Sequence, residues 1–350
     1  MASSAPLQPR HLALIDLENA PKWAGHERLW IDAVSGPSGS AEHEHGDDTW
    51  EVFRAFDGEL PDKRTIFCAG DRGGFDAIVL TGSHFSVYDP NIGPWLDPLL
   101  ELIRHCALAP LASHHQSLAG EEPGEESKAG DATLRRTLVL AGCFGSQVVA
   151  AALGGMDSVG KNPDGSFVFP SEAVVPNDAF REAAVRWIGG DESVRGGSSG
   201  GKTTMLGWMD EPMRLLESHG DCVLRLPPTA VLLGSSPSCE HEVWTAGFEE
   251  SVLAFQSHPE LFPSDLADKI LPAISGKNVI DAAQSRTSEI ALRSFELERL
   301  VEERRTEGGG TEGSAPSPPC GASPPSVPLH SNRLIALFRA FLRRSPRAIV

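Results

Sequence analysis

Residues 137–153 read TLVLAGCFGSQVVAAAL, and this stretch decides the fold. Its first part, residues 137–141, is an apolar run of the length and composition that predict a buried strand. The residues after Cys143 are mostly apolar or small and predict a helix. Gly142 and Gly145 flank the cysteine and permit a sharp turn between the strand and the helix. The succession of strand, tight turn and helix is typical of an α/β sheet.

Other segments extend the same pattern along the chain. Apolar residues at helical spacing predict a second helix over residues 95–107. Strands that alternate with helices indicate an open, mostly parallel central sheet flanked by helices. The runs at residues 231–233 and 241–244 are joined by a Ser/Pro turn and predict an antiparallel extension of that sheet. Five further apolar runs predict strands, at residues 11–17, 76–81, 213–217, 230–235 and 252–256.

The charge balance and the composition restrict the class of protein. The 350 residues include 30 Lys and Arg against 48 Asp and Glu, so the net charge is −18, and 40% of residues are hydrophobic. This excludes a nucleic-acid partner, which needs a basic face, and a wholly disordered chain. No apolar run approaches the length of a membrane-spanning helix, and the first residues lack a signal peptide's apolar core. We therefore expect a cytoplasmic protein of the cytosol.

Biased segments divide the chain into a core domain and decorations. We expect the core domain over residues 11–272, interrupted by three polar insertions at residues 35–48, 113–132 and 189–201. Residues 196–203, GGSSGGKT, match the phosphate-binding P-loop pattern letter for letter. A P-loop requires a buried strand directly before it, and none is present here. We therefore expect a flexible insertion at this position.

The end of the chain has its own composition. Residues 273–305 predict a helical extension, and the six prolines among Gly and Ser in residues 306–330 predict a disordered linker. Residues 331–350 form a basic tail with five arginines and no acid, in which residues 333–344 are amphipathic. Such a helix suits an anionic membrane surface or a calmodulin-like groove. The alternatives are that it docks on the acidic body or stays free.

Of the six cysteines, Cys143 has the most suggestive neighbours. No C-x-x-C pair occurs, so neither a metal ribbon nor a disulfide framework is expected. A thiol at the start of a helix is favoured as the thiolate, and the following Phe144 N–H points where an oxyanion would form. The alternative is a buried structural cysteine. The six are Cys68, Cys106, Cys143, Cys222, Cys239 and Cys320.

Two other strand ends supply the remaining groups that a nucleophilic thiol requires. Residues 252–261, VLAFQSHPEL, place His258 and Glu260 after a buried strand, where a carboxylate can orient an imidazole base. The small Gly82-Ser83 turn follows a third strand and lets a backbone N–H approach a substrate closely. We assign the Ser83 N–H as the second oxyanion donor, beside that of Phe144.

Four motifs in this order resemble the class I glutamine amidotransferase family. They are LTGSHFS at residues 80–86, GCFGSQ at 142–147, SHGDCVLRLPPTA at 218–230 and FQSHPEL at 255–261. Within this family, the chain is most similar to the plant gamma-glutamyl peptidases. That similarity rests on PWLDPLLELI after the first motif and LGGMDSVGKNP after the cysteine helix. The resemblance implies the flavodoxin-like fold of the class I amidotransferases.

The resemblance also implies roles for individual residues. Cys143 would be the nucleophile that forms a thioester, His258 the acid and base, and Glu260 its orienter. The residues implied to contact substrate are Gly82, Gln147, His219 and Asp221. The chain departs from the family at Ala141, where a glycine is usual, at Gly142, where a branched apolar residue is usual, and at Ser146, where histidine is common.

The expected function follows from these residues. It is cysteine-dependent hydrolysis of a gamma-glutamyl amide or peptide bond, in glutamine or a glutathione-type substrate, without a metal or an organic cofactor. One alternative is a glutaminase subunit that delivers ammonia to a separate synthase. Another is a catalytically inactive amidotransferase-like scaffold, which is suggested by the departures from the family around Cys143.

Overall fold

The computed structural model describes residues 9–36, 48–67, 74–108, 136–189, 211–307 and 330–344. The P-loop-like residues 196–203, Cys68 and Cys320 lie outside the described residues. So do most of the three predicted insertions and of the predicted linker. The division of the chain into a core domain and extensions stays a prediction.

A nine-stranded sheet forms the centre of the protein, with strand order β2-β1-β3-β4-β11-β10-β9-β6-β7. The first five strands in this order are mutually parallel, and the remaining pairs are antiparallel. Strands β5 and β8 pair separately. The strands are His11–Asp16 (β1), Thr49–Arg54 (β2), Ala77–Leu80 (β3), Leu138–Gly142 (β4), Val159–Lys161 (β5), Ser171–Pro176 (β6), Met213–Leu216 (β7), Asp221–Val223 (β8), Val231–Ser235 (β9), Val243–Ala246 (β10) and Val252–Phe255 (β11).

Helices cover both faces of this sheet. The regular helices are Glu27–Ser35 (α1), Leu96–Leu108 (α2), Phe144–Gly154 (α3), Asp178–Gly189 (α4), Ala282–Glu307 (α6) and Ser331–Leu342 (α7). Helix α5 starts at Pro263–Asp265, widens into a π-helical turn over Leu266–Ile270 and continues as Leu271–Gly276. The fold class predicted from the sequence, a mostly parallel α/β sheet with an antiparallel extension, is confirmed.

Side chains alternate between the two faces of the parallel strands, as the period of a β-strand requires. One face packs against α2 and α3 and includes Ile15, Leu80 and Ala141. The opposite face, which includes Leu140 and Phe255, packs against α1, α4 and α7. Strands buried on both faces explain why their sequences are almost continuously apolar.

Two strands of the sheet have no counterpart among the predicted runs. Strand β2, TWEVFR, lies at the edge of the sheet, and its residues are exposed or half-buried. Strand β6, SEAVVP, is mostly half-buried as well. Their mixed polarity gives a weak hydrophobic signal, because neither strand is enclosed on both faces. All six predicted apolar runs contain strands of the sheet, and five of these strands are mostly or fully buried. The exception is β9, whose first residue, Val231, is exposed.

The predicted amphipathic tail helix is α7, and it docks on the protein's own sheet. Its apolar residues Leu334, Leu337, Phe338, Phe341 and Leu342 are all buried in the core on the second face. Of the alternatives open from the sequence, docking on the body is the one observed. The apolar surface that suits a membrane or a calmodulin-like groove is therefore covered by the body in this structure.

Within the described part of the chain, no helix combines the length and the apolarity that crossing a membrane requires.

Candidate active site

Cys143 lies in the turn between β4 and α3, and its backbone is strained. Its φ of 47° and ψ of −114° fall in a region that non-glycine residues rarely adopt. Three contacts hold this geometry: the Cys143 N–H donates to the Phe255 carbonyl at 2.8 Å, and the Ser146 N–H and Oγ donate to the Cys143 carbonyl at 3.0 and 2.8 Å. Ser146 therefore supports the turn directly.

Close packing explains the glycines on both sides of the cysteine. A Cβ on Gly142 would lie 2.4 Å from Trp30 and 2.8 Å from the Phe255 ring. A Cβ on Gly145 would lie 2.8 Å from Leu80 Cβ and 2.9 Å from the Leu80 carbonyl. All four distances are shorter than real Cβ contacts, so any larger residue at either position would force its neighbours to move. The departure from the family at Gly142 thus has a local cause, since aromatic rings fill the space of a side chain.

His258 and Glu260 follow β11 and form a buried pair. The His258 Nδ1 lies 2.8 Å from Glu260 Oε1, and the His258 N–H donates to the Leu216 carbonyl at 2.9 Å. Burial acts to lower the pKa of His258, but the charges of Cys143 and Glu260 and hydrogen bonds to both raise it well above its ordinary value. A cationic imidazole next to a thiolate is the arrangement that a nucleophilic cysteine needs.

The turn at Gly82, after β3, lies against both Cys143 and His258. A Cβ built on Gly82 would lie 2.9 Å from His258 Cε1 and 3.4 Å from Cys143 Cβ, so the turn touches both side chains. Ser83 comes next and Phe144 follows the cysteine, so both predicted oxyanion donors belong to segments that meet here. Their roles stay predictions.

Three of the four predicted substrate residues, Gln147, His219 and Asp221, belong to one connected polar cluster. The Asp221 carboxylate accepts hydrogen bonds from Ser86 Oγ and, at 2.6 Å, from Tyr88 OH. The Asp221 carbonyl accepts from Gln147 Nε2 at 3.0 Å and from His219 Nδ1 at 3.1 Å. Burial and the Asp221 carboxylate raise the pKa of Tyr88 to about 12, so its hydroxyl stays protonated as a donor.

Gln256 is a site residue that sequence reasoning missed. Its Nε2 lies 3.5 Å from Cys143 Sγ, and its Oε1 accepts from Gln147 Nε2 at 3.2 Å. It therefore connects the cysteine to the cluster around Asp221. The signal was a polar residue at the end of a buried strand, two positions before His258. Ser86 and Tyr88, in the loop after β3, were also missed.

Two buried carboxyl groups lie behind the site. Glu217 and Glu242 are fully buried, and burial together with the charge of Glu242 raises the pKa of Glu217 well above its ordinary value. Burial raises the pKa of Glu242 to about 7. The adjacent His219 has its pKa lowered to about 4 by burial and by the charge of His258. The raised pKa values favour the neutral carboxyl groups, which avoids the repulsion between two buried charges.

Two groups of side chains in the described residues are close enough to share a metal ion. They are Asp16, His26 and Glu27, and Glu217, His219 and Glu242. His26 Nε2 and Asp16 Oδ1 are 3.3 Å apart and form an ion pair. Cys143 is a member of neither group.

Sequence comparisons place these observations among known proteins. The chain is 24% identical to gamma-glutamyl peptidase 4 of Arabidopsis thaliana over 293 residues, which are 82% of this chain and 88% of that protein. It is 21% identical to gamma-glutamyl peptidase 2 of the same plant over 71% of this chain and 75% of that protein. A putative glutamine amidotransferase of Saccharomyces cerevisiae is 36% identical over 129 residues, 36% of this chain and 39% of that protein. No family model matches the chain.

Solved structures of similar proteins include two glutamine amidotransferases. The one from Thermotoga maritima has a TM-score of 0.46 and 17% identity over 84% of this chain and 99% of that one. The one from Methylobacillus flagellatus has a TM-score of 0.47 and 18% identity over 89% and 99%. The resemblance to glutamine amidotransferases and gamma-glutamyl peptidases is confirmed by the sequence relatives. They support an enzyme of the glutamine-amidotransferase type.

Proposed function

We propose that this protein is a cysteine hydrolase that cleaves a gamma-glutamyl amide or peptide bond. The observation that carries the proposal is the convergence of Cys143, His258 and Glu260 at the ends of two adjacent parallel strands. The plant relatives, which are named gamma-glutamyl peptidases and match most of the chain, support the same substrate class.

The reaction follows from the positions of these groups. The Cys143 thiolate attacks the gamma-carbonyl carbon, a C–S bond forms, and the carbonyl oxygen becomes an oxyanion near the Phe144 and Ser83 N–H groups. The C–N bond then breaks, and the His258 cation gives its proton to the leaving amine. Water attacks the thioester, His258 takes its proton, and the C–S bond breaks to release a gamma-carboxylate and the free thiolate.

The polar cluster around Asp221 suits the amino-acid end of a gamma-glutamyl group. A carboxylate held by Ser86 and Tyr88 can accept hydrogen bonds from an α-ammonium group. Gln147 and His219 brace the Asp221 backbone. We assign Gly82, Gln147, His219 and Asp221 to substrate binding, with no metal or organic cofactor in the mechanism and the cytosol as the location.

The test is hydrolysis by the purified chain and its Cys143→Ala variant. We expect the chain to release glutamate from a panel of glutamine, glutathione and gamma-glutamyl-p-nitroanilide, and the variant to lose about 10³-fold or more in kcat. Unaltered hydrolysis in Cys143→Ala would rule out the thioester route.

The leaving group separates this proposal from a glutaminase that supplies a synthase. The yeast relative is named a glutamine amidotransferase, which favours glutamine as the alternative substrate. Faster release of substituted amines than of ammonia supports the peptidase. Glutamine turnover that rises only when a co-purified protein is added supports the amidotransferase subunit. An inactive scaffold predicts no turnover and no Cys143 labelling by a glutamine-like electrophile.

A further inference from the structure

The last helix among the described residues, α7, packs against the sheet directly behind the cysteine turn. Its Phe338 is 1% exposed, and its ring stacks on the Phe255 ring with centroids 4.3 Å apart and 25° between the planes. The Phe255 ring in turn lies 6.1 Å from the Trp30 ring of α1. Residues from three separate elements therefore form one group, which we call the aromatic cluster: Trp30, Phe255 and Phe338.

The aromatic cluster contacts Gly142, the residue that precedes the proposed nucleophile. In the sheet, Gly142 is the register partner of Phe255. The Trp30 and Phe255 rings fill the space in which a Gly142 side chain would lie. The two rings thus fix the position of Gly142, the last residue of β4, and the turn at Cys143 begins directly after it.

Phe255 is linked to both reactive groups. Its carbonyl accepts the Cys143 N–H at 2.8 Å, and the chain reaches His258 three residues later. Any movement of the Phe255 backbone therefore changes the position of the thiol relative to the imidazole. The Phe338 ring covers the Phe255 side chain and resists that movement.

Polar contacts at both ends fix α7 to the body. At the start, the His330 N–H donates to the Arg214 carbonyl at 2.9 Å, and the Arg214 N–H donates to His330 Nδ1 at 3.0 Å. Farther along, Arg339 Nε donates to the Ala33 carbonyl at the end of α1 at 3.0 Å. At the end, the Arg344 guanidinium donates to the Glu250 carbonyl at 2.5 Å and lies over the Trp187 ring. These contacts define both the rotation and the depth of the helix.

We propose that Phe338, a residue of the C-terminal tail, is a positioning residue for the reaction, which acts through Phe255 on the geometry of Cys143 and His258. The inference rests on the proposed function for the roles of those two residues. Phe338 itself is on the far face of the sheet and contacts neither of them. On this proposal, the tail helix contributes to catalysis by holding Cys143 and His258 in place.

The experiment compares three variants of the full-length chain. Phe338→Ala removes the stacked ring, and Phe338→Leu keeps apolar bulk without a flat ring. Phe341→Ala is the matched control, because Phe341 is a fully buried phenylalanine of the same helix whose ring packs on Trp187 with centroids 5.2 Å apart. Two readouts are taken well below each melting temperature: kcat and KM, and the rate of Cys143 alkylation by iodoacetamide against pH, followed by mass spectrometry of the Cys143 peptide.

Phe338→Ala should lower kcat about tenfold while KM stays within about twofold, because a small displacement of the reacting atoms affects chemistry more than binding. Its Cys143 alkylation at neutral pH should slow about fivefold, since a displaced imidazole stabilises the thiolate less. Phe338→Leu should fall between Phe338→Ala and the unaltered chain. Phe341→Ala should lower the melting temperature comparably but retain the unaltered alkylation profile.

Two results would overturn the inference. One is a Phe338→Ala variant with unchanged kcat and alkylation profile; the other is an equal loss of both in Phe341→Ala, which would indicate general loosening. If Phe338→Ala does not fold, Phe338→Leu decides, and an unchanged profile there also overturns the inference. The alkylation readout needs no substrate. Failure of the unaltered chain to hydrolyse any gamma-glutamyl compound would therefore count against the proposed function alone.

Discussion

At the scale of single residues, the turn at Cys143 combines strain with close packing. A positive φ at a non-glycine residue costs on the order of 1–3 kcal/mol and persists only where neighbours enforce it. Here the neighbours are the Phe255 carbonyl and the Ser146 side chain. Gly142, which has no Cβ, lets the Trp30 and Phe255 rings pack directly beneath the turn. The strained conformation places Cys143 at the start of α3 with its side chain beside His258. Small changes beside it should therefore have large effects.

Gly142→Ala is expected to destabilise the fold and reduce activity together. Its methyl group would meet the Trp30 ring at 2.4 Å, and insertion of one carbon into a packed core costs about 1–3 kcal/mol. Chemical denaturation and kcat give the two readouts. Gly276→Ala, at the end of α5, is the control: its new Cβ would have no atom within 4 Å apart from its chain neighbours and the backbone of its own helix, so its stability should stay within about 1 kcal/mol. A Gly142→Ala variant as stable and active as this control would contradict the packing account.

At the scale of elements, the loop after β1 holds the loop after β3. The Glu18 carboxylate is 7% exposed as a residue and accepts the Ala20 N–H at 2.7 Å and the His84 N–H at 3.0 Å. Its Oε1 also lies 2.7 Å from His84 Nδ1. The His84 backbone directly follows the Gly82-Ser83 turn that touches the thiol and the imidazole. Glu18 therefore determines where the predicted oxyanion donor Ser83 stands.

Glu18→Gln should lower kcat about tenfold and also reduce the stability of the fold. The amide can accept only through one atom, so a charge-assisted hydrogen bond worth roughly 1.5–3 kcal/mol is lost at the loop. Steady-state kinetics and a melting curve measure the two effects. Glu59→Gln is the control, because Glu59 Oε2 also accepts a backbone N–H, that of Arg54 at 3.0 Å, on an exposed surface. Equal kcat in both variants would show that the Glu18 contacts do not position the turn.

At the scale of the whole molecule, the buried acid pair couples stability to pH. The carboxyl groups of Glu217 and Glu242 have raised pKa values, so the folded state binds protons that the unfolded state has released. The stability that this provides is present below the ordinary glutamate pKa and is lost as pH rises through about 7. Groups that bear on the pair are Glu172, His219 and Cys143.

Glu217→Gln should therefore stabilise the protein at alkaline pH and have a smaller effect at acidic pH. The amide is neutral in both the folded and the unfolded state, so folding no longer has to protonate or bury a charge at this position, which is worth roughly 1–3 kcal/mol at pH 8. The free energy of unfolding from urea titrations at pH 5 and pH 8 is the measurement. A difference from the unaltered chain that is the same at both pH values would mean that the pair is not the titrating group.

The sequence determined most strands of the sheet and which residues we propose as the reactive ones. A short apolar run marks six strands, five of them mostly or fully buried, so these strands and the turn at Cys143 could be predicted from local pattern alone. The half-exposed β2 and β6 could not, since their composition resembles that of loops. Cys143, His258 and Glu260 could be proposed as a nucleophile, a base and its orienter because each follows a buried strand, where a side chain can reach the edge of the sheet.

Only the tertiary structure decided which surfaces meet. Gln256, Ser86 and Tyr88 became site residues through contacts between segments far apart in the chain, for which local pattern contains no information. The same holds for α7, whose amphipathic sequence is equally compatible with a membrane, a partner or the body. Its position follows from shape, because the face of the sheet with Phe255 and Gly142 offers a surface that the Phe338 ring fills.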